Sequence, residues 1–377
     1  MQSWGPALFG ARISSAAFGA GLVACILAAP AMAGKAEAPV PSATLTLMAQ
    51  KNMPPNAPIL VRSYKKESVL EVWKQTREGR YALLKSFPIC RWSGQLGPKR
   101  RQGDRQTPEG FYAVTPRQMN PNSAYYLSFD TGYPNAYDRA HGASGSALMV
   151  HGICSSAGCY AMTNQQIGEI YALARDALGS GQSAFQMQAY PFRMSAENMA
   201  KYRADANIDF WRQLKEGSDV FEATGDEPRV NVIGARYAFN ARTPELEQIA
   251  RAHHAQEEAH AAALVKEGGA TIRTTYADGG QHAIFMAMMK AGANLGDVSR
   301  PEALAYAGRD VIVTPALPPP KHIVMKAAAV TVAAIAQEEQ APEPQPLKAH
   351  SLMSGAEPIL DAALSPRPWS ILARRGV

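Results

Sequence analysis

The clearest pattern along the chain is a series of short hydrophobic runs separated by polar turns. Residues 59–62, 69–73 and 80–84 form three such runs, and residues 111–114 and 147–150 repeat the pattern further on. Runs of this length, rich in β-branched and aromatic residues and bounded by turn formers, predict β-strands. The chain is therefore expected to contain a mainly β domain.

A helical pattern follows the last of these strands. Thr163 and Gln166 have the spacing of a capping box, apolar residues then recur on one face as far as Leu178, and Gly179 ends the pattern. Residues 244–266 and 281–291 also have helical patterns. The predicted fold class is mainly β, with a few peripheral helices.

The first 33 residues have the pattern of a secretory signal peptide. Residues 16–30 are almost continuously apolar, and residues 31–33 (AMA) supply a small-x-small cleavage site. Residues 22–25 (LVAC) also match the sequence that precedes a lipid-modified cysteine, although the apolar run continues past Cys25. We expect export to the periplasm, with lipid anchoring at Cys25 as the less favoured alternative.

Composition divides the rest of the chain into three parts. Residues 34–57 are rich in Ala and Pro and indicate a linker, whereas residues 58–240 have the composition of one folded domain. Residues 241–377 contain four aromatic residues and two proline-rich stretches. This composition is typical of a largely disordered tail with helical segments.

Charge adds little to the functional assignment. The formal net charge of +6 suits contact with anionic envelope surfaces, and no basic segment is interleaved with aromatic residues as in nucleic-acid-binding modules. Nucleic acid is therefore not an expected partner. His253, His254 and His260 lie near Glu257 and Glu258 in the tail, where an exposed helix surface explains them better than a metal site.

Export changes how the four cysteines are interpreted. If Cys25 is removed with the signal, Cys90, Cys154 and Cys159 remain, and an odd number in an oxidising compartment implies one free thiol. Cys159 is the expected free thiol, with Cys90 and Cys154 as a candidate disulfide. Burial of Cys90 and Cys154 as small apolar side chains is the alternative.

The segment from His151 to Cys159 has the residues that thiol catalysis requires. A histidine eight residues before a cysteine can accept the proton from sulfur, and Gly158 allows the backbone to approach a substrate. Cys154, the competing nucleophile, has no preceding glycine. His141 competes as the base, but His151 ends an apolar strand and shares a short loop with Cys159. We expect the N–H groups of Gly158, Cys159 and Tyr160 to stabilise an oxyanion.

Several motifs in residues 58–240 resemble those of one enzyme family. They are, in order, FPIC (87–90), SGQLGPK (93–99), QGD (102–104), TPEGFY (107–112), YPNAYDRAHG (133–142), MVHG (149–152), SAGCYAMT (156–163) and YPFRM (190–194). On these motifs the chain resembles the YkuD-type L,D-transpeptidases, and specifically their YafK-like murein branch.

The resemblance implies a β-sandwich-like catalytic domain that acts on peptidoglycan without a metal or organic cofactor. Members use a cysteine to attack a peptide carbonyl at meso-diaminopimelate of the stem peptide, which gives a thioester, and an amine acceptor completes transpeptidation. In part of the YafK-like branch the acceptor is water, and the enzyme detaches a lipoprotein from the wall. The resemblance also implies that the Gly152 carbonyl orients the base.

Two departures from the broader superfamily leave the acceptor open. The loop between His151 and Cys159 is short, and Ala161 stands where an arginine is common; both features agree with the YafK-like branch. The leading hypothesis is an L,D-transpeptidase that crosslinks the wall or attaches protein to it. The alternatives are an L,D-amidase that releases a lipoprotein or outer-membrane protein, and a catalytically idle wall-binding module.

The carboxylates of a stem peptide predict cationic and polar side chains in the cleft. Arg139, His141, Ser156 and Arg193 lie within the motifs and are the candidates for substrate binding. Structural ion pairing explains the two arginines equally well, and turn formation explains Ser156. Residues 99–105 contain a basic cluster that is more typical of a solvated loop.

Overall fold

Two main β-sheets, two further sheets of two strands each and a set of helices make up the part of the chain that the computed structural model describes, residues 34–293 and 308–314. The predicted signal peptide with Cys25, and residues 315–377 of the predicted tail, lie outside the described residues. In the described part, no helix is long and apolar enough to cross a bilayer.

The strands are short, as the sequence predicts. They are β1 (Ile59–Tyr64), β2 (Val69–Gln75), β3 (Tyr81–Pro88), β4 (Gly110–Val114), β5 (Met119–Asn120), β6 (Ser128–Asp130), β7 (Met149–His151), β8 (Tyr160–Ala161), β9 (Phe185–Tyr190), β10 (Arg229–Ile233), β11 (Arg236–Asn240), β12 (Thr271–Thr275) and β13 (Arg309–Thr314). The helices are α1 (Ser42–Gln50), α2 (Ala136–Ala140), α3 (Asn164–Gly179), α4 (Ala196–Lys201), α5 (Ile208–Thr224), α6 (Pro244–Lys266) and α7 (Ala283–Lys290). The mainly β class with peripheral helices is confirmed.

The larger sheet has five strands in the order β3-β2-β1-β9-β4. All pairs are antiparallel except β1 with β9. Every residue of the two central strands, β1 and β9, is buried. On β1, Leu60 packs with Phe221 of α5, while Ile59 and Val61 belong to the main hydrophobic core. Because successive side chains of a strand point to opposite faces, this sheet is covered on both sides.

The smaller sheet, in the order β5-β6-β7-β8, carries the residues of the predicted active site. Strands β7 and β8 are parallel neighbours, with Val150 opposite Tyr160 and His151 opposite Ala161. Cys159 precedes β8 and Met149 begins β7, so this register places Cys159 beside Met149. This parallel pairing brings His151 and Cys159 to one side of the domain.

Helix α3 begins where the capping pattern predicts. The Gln166 N–H donates to Thr163 Oγ1 at 3.2 Å, and the Thr163 N–H donates to Gln166 Oε1 at 2.9 Å. Ile167 and Ile170 are buried against the core. The two reciprocal bonds satisfy donors that a helix start leaves unpaired, and they fix the point at which the chain leaves β8.

The segment before the domain, predicted as a linker, packs against it. Thr44 of α1 donates to Glu169 of α3 at 2.5 Å, and Lys85 of β3 pairs with the same carboxylate at 2.8 Å. Arg175 of α3 donates to the carbonyls of Ala36 and Ala38 at 2.6 and 3.0 Å. Composition did not predict these contacts, because they join segments that are far apart in the chain.

Residues after 240 also pack against the domain. Helix α6 covers the predicted residues 244–266 and contacts α4 and α5. Helix α7 lies within the second predicted helix, and its Phe285 packs against Cys90 and Cys154. The predicted helices are therefore present, and their packed faces contact the domain.

Candidate active site

A cleft of about 430 Å³ opens beside the smaller sheet and contains both predicted catalytic residues. It is lined by Lys99, Gln102, Gly103, Arg105, Tyr125, Ser146, Ala147, Leu148, Met149, His151, Ser155, Ala157 and Cys159. The thiol and the imidazole thus reach a common space large enough for part of a peptide.

His151 is fixed at the end of β7. Its Nδ1 lies 2.5 Å from the Gly152 carbonyl oxygen, and its ring lies 4.6 Å from the ring of Tyr125. A carbonyl accepts hydrogen bonds only, so Nδ1 carries the proton and Nε2 is left as the acceptor. The pKa of His151 is lowered by burial, with a partial offset from the bond to Gly152. The imidazole is therefore a neutral base near pH 7.

Glycine is required at position 152 for space. A Cβ there would lie 2.6 Å from Asn164 Oδ1 and 2.8 Å from the Tyr125 carbonyl oxygen. The Gly152 N–H also donates to the Tyr125 carbonyl at 3.0 Å. Any side chain at this position would push apart the two segments that hold the imidazole.

Cys159 is partly exposed, and its sulfur contacts the backbone of the neighbouring strand. The Met149 N–H donates to Sγ at 3.4 Å, and Sγ lies 3.8 Å from the Ala147 carbonyl oxygen. Among the described residues, Sγ makes its hydrogen bonds with this backbone and not with the His151 ring.

The protonation state of the thiol is determined mainly by burial. Although Cys159 lies just before a helix start, which in general favours a thiolate, burial raises the pKa of the Cys159 thiol above its ordinary value, and the Met149 N–H and Lys99 offset this only in part. Strand β8 separates Cys159 from the helix, whose dipole acts mainly within the first turn. The resting pair is therefore a thiol and a neutral imidazole.

Ser156 organises the loop that precedes the nucleophile. Its Oγ accepts the N–H groups of Gly158 and Cys159 at 3.2 and 3.1 Å and donates to the Cys159 carbonyl at 2.7 Å. It also lies 3.0 Å from Ser93 Oγ. The Ser156 hydroxyl is thus engaged within the loop, as the turn-forming alternative predicts, and its assignment to substrate binding stays a prediction.

The same bonds change the expected oxyanion hole. Two of its three predicted donors, the N–H groups of Gly158 and Cys159, point to Ser156 Oγ, and Tyr160 lies in the strand pair with β7. Gly158 has φ +139°, a conformation that favours glycine. The two amides become oxyanion donors only if the serine hydroxyl releases them.

The other predicted substrate residues lie outside this cleft. Arg139 is exposed and donates to the Pro134 carbonyl, and His141 lies against the Tyr137 ring, with centroids 4.1 Å apart. Arg193 pairs with the buried Glu71 at 2.6 Å and stacks over Tyr64. The structure therefore does not bring these three residues into the cleft of Cys159, and their assignment to substrate binding stays a prediction.

The two remaining cysteines of the described chain form a disulfide. Cys90, just after β3, is bonded to Cys154 in the loop between His151 and Cys159, with 5.3 Å between the Cα atoms. Cys159 is the free cysteine among the residues described. The bond anchors the middle of the catalytic loop to the larger sheet and removes Cys154 as a rival nucleophile.

The cleft contains cations that the sequence did not assign to it. Lys99 and Arg105 line its wall, although the basic cluster of residues 99–105 was interpreted as a solvated loop. Arg105 pairs with Asp278 of the predicted tail. No local pattern marks this pair, because its partners are distant in sequence and meet only in the folded chain.

Backbone strain is concentrated around the same cleft. Arg105, Tyr126, Ala147 and Ile153 have φ between 55° and 71°, a region that residues other than glycine rarely adopt. Two of them line the cleft, and the others follow Tyr125 and Gly152 directly. Such conformations persist where surrounding structure enforces them, often at functional sites.

Comparisons with known proteins agree with this geometry. The L,D-transpeptidase catalytic domain family, YkuD, matches residues 59–182. The protein named "Putative L,D-transpeptidase YafK" from Escherichia coli K12 is 48% identical over 184 residues, which are 49% of this chain and 74% of that protein. The protein of that name from Escherichia coli O157:H7 matches equally.

Two solved structures match at lower identity. The helical cell shape determining protein Pgp2 from Campylobacter jejuni is 18% identical, with 62% of this chain and 80% of that chain covered and a TM-score of 0.30. Bd1075 from Bdellovibrio bacteriovorus is also 18% identical, with coverages of 58% and 75% and a TM-score of 0.27. At these TM-scores neither contributes to the functional assignment.

Proposed function

Since this chain belongs to the L,D-transpeptidase family that includes YafK, we propose that its Cys159 attacks the carbonyl at meso-diaminopimelate in peptidoglycan stem peptides. The observation that carries this proposal is the placement of Cys159 and His151 in one cleft, with His151 Nδ1 held by the Gly152 carbonyl. That bond leaves Nε2 as the base. The substrate partner is peptidoglycan, and the chemistry requires no cofactor.

The attack starts from a neutral pair. As the substrate carbonyl approaches, Nε2 of His151 takes the thiol proton and Sγ forms a bond to the carbonyl carbon. The carbonyl π electrons move to oxygen, and each N–H donor that reaches this oxyanion contributes about 3 kcal/mol to the transition state. His151 then returns the proton to the departing amine as the C–N bond breaks, which leaves a thioester on Cys159.

The acceptor decides the outcome of the reaction. An amine gives a new crosslink or attaches a protein to the wall, with His151 again moving the proton. Water gives hydrolysis, which would release a lipoprotein or outer-membrane protein from the wall. Hydrolysis is kept as the second candidate because Ala161 is buried and offers no cation for a donor or acceptor strand, and because the loop before Cys159 is short.

We place the enzyme in the periplasm. The Cys90–Cys154 disulfide supports an oxidising compartment, where such bonds persist. The pattern of residues 1–33 supports the same location.

The test compares sacculi treated with the wild-type enzyme, Cys159→Ala and the control Ser180→Ala. Ser180 is exposed at the far end of α3. We expect Cys159→Ala to lose activity by a factor on the order of 10⁴ or more, and Ser180→Ala to retain it. New crosslinks would assign transpeptidation, and protein release without them would assign hydrolysis. Turnover by Cys159→Ala at the rate of the wild-type enzyme would refute the proposal.

A further inference from the structure

Arg105 is the cation of the cleft that a ligand can reach. Lys99 also lines the wall, but its side chain is 4% exposed and its ammonium group pairs with Asp104, whereas the Arg105 side chain is 38% exposed. The residues that line the cleft include no aspartate or glutamate. The cleft therefore presents one accessible positive group to whatever enters it.

Asp278 holds the Arg105 guanidinium in a defined orientation. Nε donates to Asp278 Oδ1 at 3.3 Å, Nη2 donates to Oδ2, and Nη2 also lies 3.4 Å from the Ser156 carbonyl oxygen. This fork uses one edge of the planar group. The two N–H donors of Nη1 make no hydrogen bond within the described part of the chain, so they are available to a ligand.

The position of Asp278 is fixed by backbone pairing. Gly280 and Trp92 exchange two N–H···O bonds of 3.0 and 3.1 Å, and the His282 N–H donates to the Ile89 carbonyl at 3.1 Å. At Gly279 a Cβ would lie 2.0 Å from the Trp92 carbonyl oxygen. Residues 276–282 therefore lie along residues 89–95 as an added edge, and we call this segment the brace.

The brace is held by further contacts at and beyond its two ends. Gln95 and Tyr276 exchange hydrogen bonds of 2.5 and 2.9 Å. Beyond the brace, Phe285 of α7 packs on the disulfide that anchors the loop. Arg91, whose backbone pairs with Ala161 of β8, donates to the Asp278 carbonyl. Asp278 is thus held relative to Cys159 through rigid backbone contacts.

We propose that Arg105, oriented by Asp278 of the brace, binds a carboxylate of the substrate in the cleft of Cys159. The proposal rests on the proposed function for the identity of the substrate, a stem peptide that bears carboxylates. Arg105 is the binding residue, and Asp278 is a positioning residue that acts through it. Charge-assisted, forked contacts of this kind are the strong ones in carboxylate recognition.

The test measures alkylation of Cys159 by two small reagents in the full-length enzyme. Iodoacetate carries a carboxylate and iodoacetamide does not, so the ratio of their rates reports carboxylate attraction near the thiol. We expect Arg105→Gln to lower this ratio about threefold or more at low salt, with the effect shrinking at high salt. Arg105→Lys should keep part of the ratio. Arg212→Gln, which removes an exposed arginine paired with Asp209, should leave it unchanged.

Turnover of a carboxylate-bearing stem peptide gives the second measurement. Arg105→Gln should raise KM about tenfold or more with kcat within about twofold, because a contact made equally in the ground and transition states is lost. Asp278→Asn should produce a smaller change of the same kind, and the double variant should be no worse than Arg105→Gln. A purely structural role would instead lower the melting temperature and slow both reagents equally.

The outcomes separate the two proposals. Equal slowing of both reagents in Arg105→Gln, or no change in either the rate ratio or KM, would overturn the role of Arg105. Absence of turnover by the wild-type enzyme on every peptidoglycan substrate would overturn the proposed function, while the rate ratio would still decide whether Arg105 attracts a carboxylate.

Discussion

Two histidines of this protein lie in contrasting environments. His151, in the cleft, is almost fully buried, and burial lowers its pKa, while the hydrogen bond to the neutral Gly152 carbonyl offsets this in part. His254 of α6 contacts Asp219 of α5 at 2.7 Å, and this bond, with Glu258 and Glu216 nearby, raises its pKa. The first histidine is kept neutral and the second is favoured as a cation.

The difference shows how the partner determines the use of an imidazole. A neutral carbonyl orients the ring and stabilises the imidazolium less than a carboxylate does, which suits the proposed role of His151 as the base for Cys159. Buried Asp219 also pairs with Lys215, so the seam between α5 and α6 is an ion-pair network. His254 was interpreted as part of an exposed helix surface, and this network shows that it instead lies in the seam. The network holds α6 against α5.

Exchanging each histidine for glutamine gives the largest expected contrast. His151→Gln removes the base and should lower turnover by about 10²- to 10⁴-fold, whereas His254→Gln should leave turnover within about twofold. Rates on peptidoglycan at one temperature below both melting transitions check this. Equal losses in the two variants would show that the helical seam acts in catalysis.

Removal of the buried carboxylate tests the seam itself. Asp219→Asn leaves Lys215 and His254 without their shared anion and should reduce the free energy of unfolding by about 3 kcal/mol. The control Asp209→Asn affects a pair that is exposed on the same helix and should change it by less than about 0.5 kcal/mol. Urea denaturation measures both variants, and similar values for the two would contradict a buried network.

The pH dependence of alkylation tests the neutral state of the cleft. Because burial raises the pKa of the Cys159 thiol and lowers that of His151, the iodoacetamide rate should be low near pH 7 and rise about tenfold per pH unit until the thiol titrates, at a pH above its ordinary pKa. A stable thiolate–imidazolium pair would instead give a plateau near neutrality. If the wild type showed this plateau and His151→Gln did not, the resting pair would be a thiolate and an imidazolium and not two neutral groups.

The smallest expected effect is the pH dependence of stability that the two histidines cause. Because the pKa of His254 is raised in the folded state, this group contributes to the free energy of unfolding. The contribution is fully present below the unfolded-state pKa of about 6.5 and is lost as the pH rises through the folded-state pKa. The lowered pKa of His151 acts in the opposite direction, since its contribution is complete above about pH 6.5 and is lost on acidification.

Denaturation at pH 5.5 and pH 8.5 separates these contributions. His254→Gln should lower the free energy of unfolding by at most about 1 kcal/mol at pH 5.5. The decrease should be smaller at pH 8.5. In His151→Gln the loss of stability on acidification should be weaker than in the wild type. If the free energy of unfolding changed equally with pH in both variants, the two histidines would not differ as proposed.

Much of the local structure could be predicted because its signals are local. The hydrophobic runs predicted four of the five strands of the larger sheet, all but β9, while the pair Thr163 and Gln166 marked the start of α3 and the pattern of residues 244–266 matched α6. The cysteine count allowed the Cys90–Cys154 pair as one of two readings. Each signal depends on period, capping or covalent chemistry within a short window.

The parts that could not be predicted depend on contacts between distant segments. Arg139 and Arg193 lie in motifs, but only the fold shows that Arg193 pairs with Glu71, away from the cleft. Similarly, nothing in a composition typical of a tail indicates that Asp278 lies against Arg105. Ion pairs of this kind have no sequence period, so their partners are identified only when the backbone brings them together.

By itself, the sequence was enough to predict the class of chemistry proposed above, because a free cysteine, a nearby histidine and the glycines between them form the pattern that thiol attack requires. The tertiary structure decided which groups surround that thiol. The parallel pairing of β7 with β8 places Sγ beside the Met149 N–H, and burial keeps the thiol and imidazole neutral. Burial and pairing depend on the whole fold, since they are set by side chains and strands that are remote in sequence.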